Sequence, residues 1–202
     1  MPNAGIFAQL GLFVRRGFLD PEACREIRSE MASATRARAR VRRLGEASGA
    51  VDEMQRRTDS VELSPATTSR VESRLLGLMP DLERHFRVEL AGCQGPQFYI
   101  YEEGDFFLPH QDRGSDEVAP LQHRSRQVSV TVFLNDETGG LDGHAYRGGA
   151  LVFYGQRPDQ SSGFGLPLES EEGMFVAFRS DWLHEVRPVT TGRRYSLVTW
   201  FF

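Results

Sequence analysis

The pattern of apolar residues changes near residue 95, and no other feature constrains the fold as strongly. Before that point apolar side chains recur at helical spacing; after it they alternate with a period of two, which puts successive side chains on opposite faces of a strand. Residues 97–101 set Tyr99 and Tyr101 on one face and Phe98 and Ile100 on the other. Over residues 127–134, Val128, Val130, Val132 and Leu134 face one way and Ser129, Thr131 and Phe133 the other. Further short strands are expected at 149–154, 174–178, 184–186 and 194–202, with Gly, Pro, Asp and Ser between them. Helices followed by many short strands predict a mainly β chain with N-terminal helices, a helix-buttressed sandwich or barrel. The 202 residues suit a single domain, with helical support over about 1–90 and a strand-built core over about 95–202.

The first half carries its own start signals. Leu10 to Val14 is a short apolar run that reads as a strand. Asp20-Pro21-Glu22 offers a capping carboxylate, a proline at the first helical position and an acid in the first turn. Ala23, Ile27, Met31 and Ala34 then make one buried stripe. Ser64-Pro65 opens a second helical region whose apolar side is Val71, Leu75, Leu76, Leu78 and Met79, and Pro80 restarts it towards Phe86. Residues 36–43 alternate Arg with Ala or Val, which suits an edge strand.

Composition excludes several classes. Apolar and charged fractions of 40% and 26% are those of an ordinary globular chain. The net charge of −4 argues against a general nucleic-acid binder, and no apolar run is long enough to span a bilayer. The N-terminus lacks the basic-then-apolar order of a signal peptide, and two cysteines are too few for a disulfide framework, so a cytoplasmic location is expected. All 24 basic residues are arginine, so any cation that a ligand needs must be a guanidinium.

His110-Gln111-Asp112 is the first chemistry-bearing pair. One residue separates the imidazole from the carboxylate, so an extended strand would send both to the same face. His184, placed at the start of a later strand by Asp181-Trp182-Leu183, adds a second imidazole. Two histidines and one carboxylate with open coordination positions suit non-haem Fe(II) oxygen chemistry. A lone H-x-D is weak evidence; the next motif strengthens it. In the run from Arg193 to Trp200, alternation puts Arg194, Ser196, Val198 and Trp200 on one face. An arginine aimed into a mostly apolar sheet is costly unless it meets an anion, and a guanidinium fork with a hydroxyl two residues on suits a carboxylate. Tyr101 is placed to add a phenol hydrogen bond.

Taken together, His110-x-Asp112, His184 and Arg194-x-Ser196 resemble the signature of Fe(II)/2-oxoglutarate-dependent dioxygenases, in their prolyl 4-hydroxylase-like branch. Phe98-Tyr99-Ile100-Tyr101 leading to Pro109-His110, then Val132-Phe133-Leu134-Asn135-Asp136, Gly148-Gly149-Ala150-Leu151 and Arg194-Tyr195-Ser196 carry the finer match. Phe18-Leu19-Asp20-Pro21-Glu22-Ala23-Cys24 resembles the branch's first helix. The resemblance implies a double-stranded β-helix (jelly roll) buttressed by helices. It implies Fe(II) held by His110, Asp112 and His184, and 2-oxoglutarate held by Arg194 with Ser196 and Tyr101. It further implies consumption of O2, release of succinate and CO2, hydroxylation of an unactivated C–H bond, and ascorbate as a candidate reductant. Prolyl-type hydroxylation of a peptide, protein or amino acid is the leading expectation; a small natural product is the alternative within the same chemistry. A non-catalytic jelly-roll binding module and a cupin-like metalloenzyme are the rival classes. Animal members carry a tyrosine near the position of Phe133, which cannot make that hydrogen bond. Asp112 argues against a halogenase-like variant.

Substrate contacts are expected from Arg113, Arg126 and Tyr99. Residues 113–126 carry no core pattern and read as a polar lid, and residues 155–172 as a mobile loop. The arginines of 36–43, with Arg56 and Arg57, read as a solvated edge that discourages strand pairing, attraction of an acidic peptide or phosphate being the alternative. His123 and His144 read as surface residues of polar loops, His144 being the rival metal ligand, and His85 as a structural helix residue.

Overall fold

In the computed structural model of the chain, residues 7–8, 10–42, 45–46, 48–114, 117–137, 145–155 and 165–202 are described. Strand β1 (Phe13–Arg15) and helix α1 (Pro21–Ser33) open the chain, followed by β2 (Arg36–Arg38), β3 (Arg56–Arg57) and β4 (Asp59–Val61). Helices α2 (Pro65–Leu76) and α3 (Met79–Phe86) complete the helical support. Then come β5 (Gln97–Tyr101), β6 (Phe106–His110), the short helix α4 (Leu121–Arg124), β7 (Val128–Phe133), β8 (Arg147–Gly148) and β9 (Leu151–Gly155). The chain closes with β10 (Leu166–Leu168), β11 (Phe175–Arg179), β12 (Leu183–Val186), β13 (Val189–Thr191) and β14 (Arg194–Phe201).

The strands form a seven-stranded sheet in the order β1-β11-β7-β14-β5-β4-β2, a five-stranded sheet in the order β10-β9-β12-β6-β3, and a two-stranded ribbon β13-β8. Alternation decides what each face of the large sheet meets. Phe98, Ile100, Val128, Val130, Val132 and Leu197 face outward and bury the helices' stripes, Ile27 and Met31 of α1, Val71 and Leu75 of α2, and Leu82 of α3. Tyr99, Tyr101, Phe133, Val176 and Phe178 face inward, against Leu151, Phe153 and Val186 of the smaller sheet. This is the helix-buttressed jelly roll expected from the sequence. Each fully buried aliphatic side chain in it contributes about 1.5–3 kcal/mol.

The helix starts behave as their residues dictate. Asp20 accepts a hydrogen bond from the Ala23 N–H at 2.8 Å, with Pro21 in the first turn. Ser64 caps α2 by accepting from the Thr67 N–H at 3.3 Å, and Glu30 of α1 accepts from the Ser64 N–H and, at 2.6 Å, from the Thr67 hydroxyl. The two helices are thereby tied to each other as well as to the sheet.

Four expectations need correction. The first strand begins at Phe13, because Gly11 holds φ +77° in a turn that extended backbone cannot enter. Only Arg36–Arg38 of the Arg-alternating stretch is a strand, at the edge of the large sheet. The polar lid of 113–126 contains α4 and the buried Ala119 and Arg126, so over its described residues it is anchored to the body of the protein. Within 155–172 the described residues include β10, paired to β9; residues 156–164 lie outside the description.

Candidate metal centre

His110 ends β6 and pairs directly with His184 of β12, so two imidazoles meet across one ladder of the smaller sheet. Asp112 is not on that strand, contrary to the sequence expectation. Its N–H and that of Arg113 both donate to the Ser180 carbonyl, at 3.0 and 2.9 Å, and this pulls the chain off the sheet just beyond His110. The bend still delivers the carboxylate to the imidazoles. Asp112 Oδ1 lies 3.7 Å from His110 Nε2 and Oδ2 lies 3.6 Å from His184 Nε2. One ligand atom from each residue lies within 4.8 Å of the other two.

Main-chain atoms set the histidine tautomers. His110 Nδ1–H donates to the Leu108 carbonyl at 2.8 Å, and His184 Nδ1–H donates to the Trp182 carbonyl at 2.9 Å. A carbonyl accepts only, so each Nδ1 carries a proton and each Nε2 is the ring nitrogen turned towards Asp112. Burial, reinforced by the adjacent His184, pushes His110 down to about 3, keeping it neutral and able to bind a metal. For Asp112, burial works to raise the pKa, but the imidazoles of His184 and His110, with Arg126 and the Ser129 hydroxyl, outweigh it and hold the carboxyl at about 2. The site brings two imidazoles and one carboxylate together in an aromatic setting. Phe107 stacks on His110 at 3.5 Å between ring centroids, and Phe178 meets His184 edge-on at 4.7 Å.

Arg126 supports the carboxylate from behind. Its Nη1 donates to the Asp112 carbonyl at 3.2 Å and its Nη2 to Gln94 Oε1 at 2.9 Å, while the guanidinium lies 3.6 Å from the Trp200 ring centroid. Burial lowers it to about 10, which leaves it charged at neutral pH. It is therefore a fixed support of Asp112, and it also lines the groove in which a substrate contact was expected of it.

A second polar centre lies between the same sheets. Arg194 is 1% exposed, and its register on β14 sets it beside Tyr101. Its Nη1 donates to the Ser196 hydroxyl at 3.0 Å, and its Nε has no partner. The rings of Tyr101 and Phe133 lie 5.0 and 5.2 Å from the guanidinium, so Tyr101 meets it with its face and its phenol comes to Arg56. Asn135 fixes the start of β14 by accepting from the Tyr195 N–H at 2.9 Å and donating to the Arg193 carbonyl at 2.8 Å. Tyr146 belongs to no motif of the sequence. It is 2% exposed, shares a 2.7 Å hydrogen bond with Ser170, and sits beside Arg194, while burial pushes its phenol upward. Gly149, at φ +64°, makes the room: a Cβ there would come within 3.1 Å of Arg194 Cδ and 3.3 Å of the Tyr146 ring. The two adjacent glycines were the available signal.

Of the expected substrate contacts, Tyr99 lines the groove in front of the candidate ligands and donates to Gln97, and Arg113 stands at the mouth, donating to the Arg124 carbonyl at 3.2 Å. His123 sits half-buried on α4 at the same mouth, and His85 packs between Phe13 and Phe86. His144 lies outside the described residues.

The family model of the 2OG-Fe(II) oxygenase superfamily matches residues 96–202. A PKHD-type hydroxylase of Shewanella oneidensis is 32% identical over 105 residues, 52% of this chain and 41% of the relative, so the match spans about two-fifths of that protein's length. A Pseudomonas putida prolyl-4-hydroxylase structure superimposes with a TM-score of 0.67 at 22% identity, covering 98% of this chain and 95% of that one. A Trichoplax adhaerens prolyl hydroxylase, solved with a peptide fragment of the hypoxia inducible factor oxygen degradation domain, gives 0.73 at 17% identity over 98% and 86%. The matched family segment, 96–202, holds all three candidate ligands and Arg194, and the fold around them is that of the prolyl-hydroxylase structures: the chain belongs to the 2OG-Fe(II) oxygenase superfamily.

Proposed function

We propose that the chain is an Fe(II)- and 2-oxoglutarate-dependent hydroxylase that oxidises an unactivated C–H bond, of prolyl type, on a peptide or protein, and that residues 1–202 act as one domain. The observation that carries this reading is the pairing of two unmet demands in one inter-sheet space. Two imidazoles and a carboxylate converge with one ligand atom each within 4.8 Å, and a buried guanidinium beside a hydroxyl keeps an unpartnered Nε. Neutral nitrogen donors with one carboxylate fit Fe(II), and a guanidinium fork beside a hydroxyl fits the distal carboxylate of 2-oxoglutarate.

In this reading His110, Asp112 and His184 hold the metal on one side and leave the other open. Arg194 and Ser196 take the distal carboxylate, and Tyr146 supplies the phenol that Phe133 lacks. Phe133 and Tyr101 wall the co-substrate in and exclude water, which strengthens the ion pair. When bound, Fe(II) and 2-oxoglutarate supply the oxidising chemistry by which O2 hydroxylates a C–H bond, with succinate and CO2 released. The imidazoles of His184 and His110, with Arg126 behind them, keep Asp112 ionised, and Arg126 also fixes it through its main-chain carbonyl.

No helix among the described residues is long and apolar enough to cross a membrane. Cys24 and Cys93 are both unpaired, which supports a reducing compartment, and we place the protein in the cytoplasm. Anaerobic addition of Fe(II) and 2-oxoglutarate is expected to give a weak visible charge-transfer band, lost in His110→Ala and Asp112→Ala. Exposure to O2 should then yield succinate. Neither band nor succinate from the intact protein would refute the enzyme reading and favour a non-catalytic binding module. Succinate-free activity unchanged by Arg194→Ala would favour a cupin-like metalloenzyme.

A further inference from the structure

The groove in front of the metal ligands has a volume of about 1730 Å³. That exceeds the roughly 300–1,000 Å³ of pockets that enclose a small ligand. One wall is the excursion between β2 and β3, where a bridge pairs Val41 with Ala50 and the exposed Val51 and Met54 follow.

The arginines around this groove divide into two kinds. Arg36, Arg38 and Arg57 are matched by carboxylates of the chain itself: Arg36 meets Glu102 at 2.6 Å, Arg38 meets Asp59 at 3.1 Å and Arg57 meets Asp105 at 2.9 Å. Arg56 is not. It is 9% exposed and lines the groove, its Nε has no partner, and its hydrogen bonds go to neutral groups only, the phenols of Tyr99 and Tyr101 and, at a long 3.5 Å from Nη1, the Arg40 carbonyl. No carboxylate among the described residues pairs with it. Its guanidinium lies 4.1 Å from the Tyr99 ring centroid and 4.6 Å from that of Phe107, with the phenols of Tyr99 and Tyr101 beside it. Phe107 in turn stacks on the metal ligand His110. Tyr99, Arg56, Phe107 and His110 therefore succeed one another as a stack, held by the pairing of Arg56 with Phe107 across β3 and β6.

A guanidinium held between two rings at a groove wall, with no carboxylate of the described residues against it, is a site for an anion of planar geometry. We infer that the substrate is a peptide bearing an Asp or Glu side chain whose carboxylate binds Arg56 while a neighbouring residue lies over the metal ligands. This rests on the hydroxylase reading above and names its substrate class. One aromatic ring separates the guanidinium from His110, and an extended chain advances about 3.3–3.6 Å per residue, so the acid falls within about two residues of the oxidised one. Arg40 and Arg113 at the groove's rim extend the same sign of charge, against Glu62 as the acid of the lining outside the metal ligands.

The test uses heptapeptides with a central proline and a single Asp or Glu at each of the four nearest positions, their Asn or Gln counterparts, and free L-proline. Binding is measured calorimetrically to the full chain loaded with Mn(II) and 2-oxoglutarate, where no turnover intervenes. An acidic peptide is expected to bind at least about tenfold tighter than its amide partner at one of these positions. Arg56→Gln should erase that difference and Arg56→Lys should retain part of it, with thermal melting to show that both variants fold. Equal affinity of acid and amide peptides at every position, which needs no variant, would overturn the inference. So would an acid preference undiminished in folded Arg56→Gln, or free L-proline binding as tightly as the best acidic peptide. Succinate formation by the wild-type protein with Fe(II) and 2-oxoglutarate tests the hydroxylase reading by itself; succinate without acid preference would overturn the substrate inference alone.

Discussion

Replacing Arg194 with methionine should stabilise the ligand-free protein while weakening its hold on 2-oxoglutarate. Arg194 is 1% exposed with an unpartnered Nε; it keeps hydrogen bonds to Ser196 and Tyr146 and two ring contacts, at 5.0 and 5.2 Å. Those contacts contribute about 2–3 kcal/mol together. Burying the guanidinium costs several kcal/mol, and the unmet N–H adds to that. Methionine retains the length and apolar contact without the charge, so a net gain of about 1–2 kcal/mol is expected, within the range seen when buried ions are replaced by apolar residues. In a chain of this size that raises the melting temperature by about 2–8 °C. Removing one partner of a buried charge pair costs about 2 kcal/mol or more, a loss of at least about 30-fold in affinity for 2-oxoglutarate. At a concentration 100 times the wild-type Kd, the ligand stabilises the wild type by about 2.7 kcal/mol and the variant by about 1 kcal/mol or less. Thermal melts with Mn(II), with and without 2-oxoglutarate, read both effects. A variant that melts lower than wild type without ligand, yet keeps the full ligand-dependent rise, would refute the reasoning.

Three further predictions address the same centre. Arg126→Met removes the donor behind Asp112 and should lower Mn(II) affinity by about 10–100-fold without abolishing it, as measured by calorimetry; unchanged affinity would deny Arg126 its supporting role. The metal-free protein should lose stability as pH falls below 6.5, because unfolded His110 takes up a proton that the buried ring refuses until about 3, and stability rises with pH wherever the unfolded state binds more protons. His110→Gln should flatten that part of a urea-denaturation pH profile, and an unaltered slope would contradict the assignment. Gly149→Ala places a methyl 2.9 Å from Val189 Cγ2 and 3.1 Å from Arg194 Cδ at φ +64°, so it should cost about 1 kcal/mol or more in backbone strain and weaken 2-oxoglutarate binding more than Mn(II) binding.

The extent to which the sequence foretold this arrangement follows from what kind of information each residue carries. Arg194, Ser196, Tyr99 and Tyr101 were legible because strand alternation assigns a face without knowledge of neighbouring strands. His110, Asp112 and His184 were legible by chemical type, although the geometry of Asp112 was not: its position comes from the Ser180 carbonyl, distant in sequence. Tyr146 escaped notice because it precedes a glycine pair in a stretch without alternation, and its value depends on Gly149 leaving space. Arg126 read as loop because its environment is assembled from Gln94, Asp112 and Trp200, three separate segments. Arg56 was one arginine among many; only its lack of a carboxylate, beside Arg36, Arg38 and Arg57 with theirs, sets it apart, and pairing is a tertiary property.

The anchors of the three candidate metal ligands share a property with consequences for descent. Leu108, Trp182 and Ser180 hold His110, His184 and Asp112 through carbonyl oxygens. A carbonyl is present whatever side chain its residue carries, so substitutions at those three positions leave the anchors in place. The groove walls, by contrast, work through side chains such as Arg56, Arg113 and Tyr99. Mutation can therefore reshape what the groove accepts while the metal-binding geometry is inherited intact, and the same catalytic centre can be carried from one substrate to another without being rebuilt.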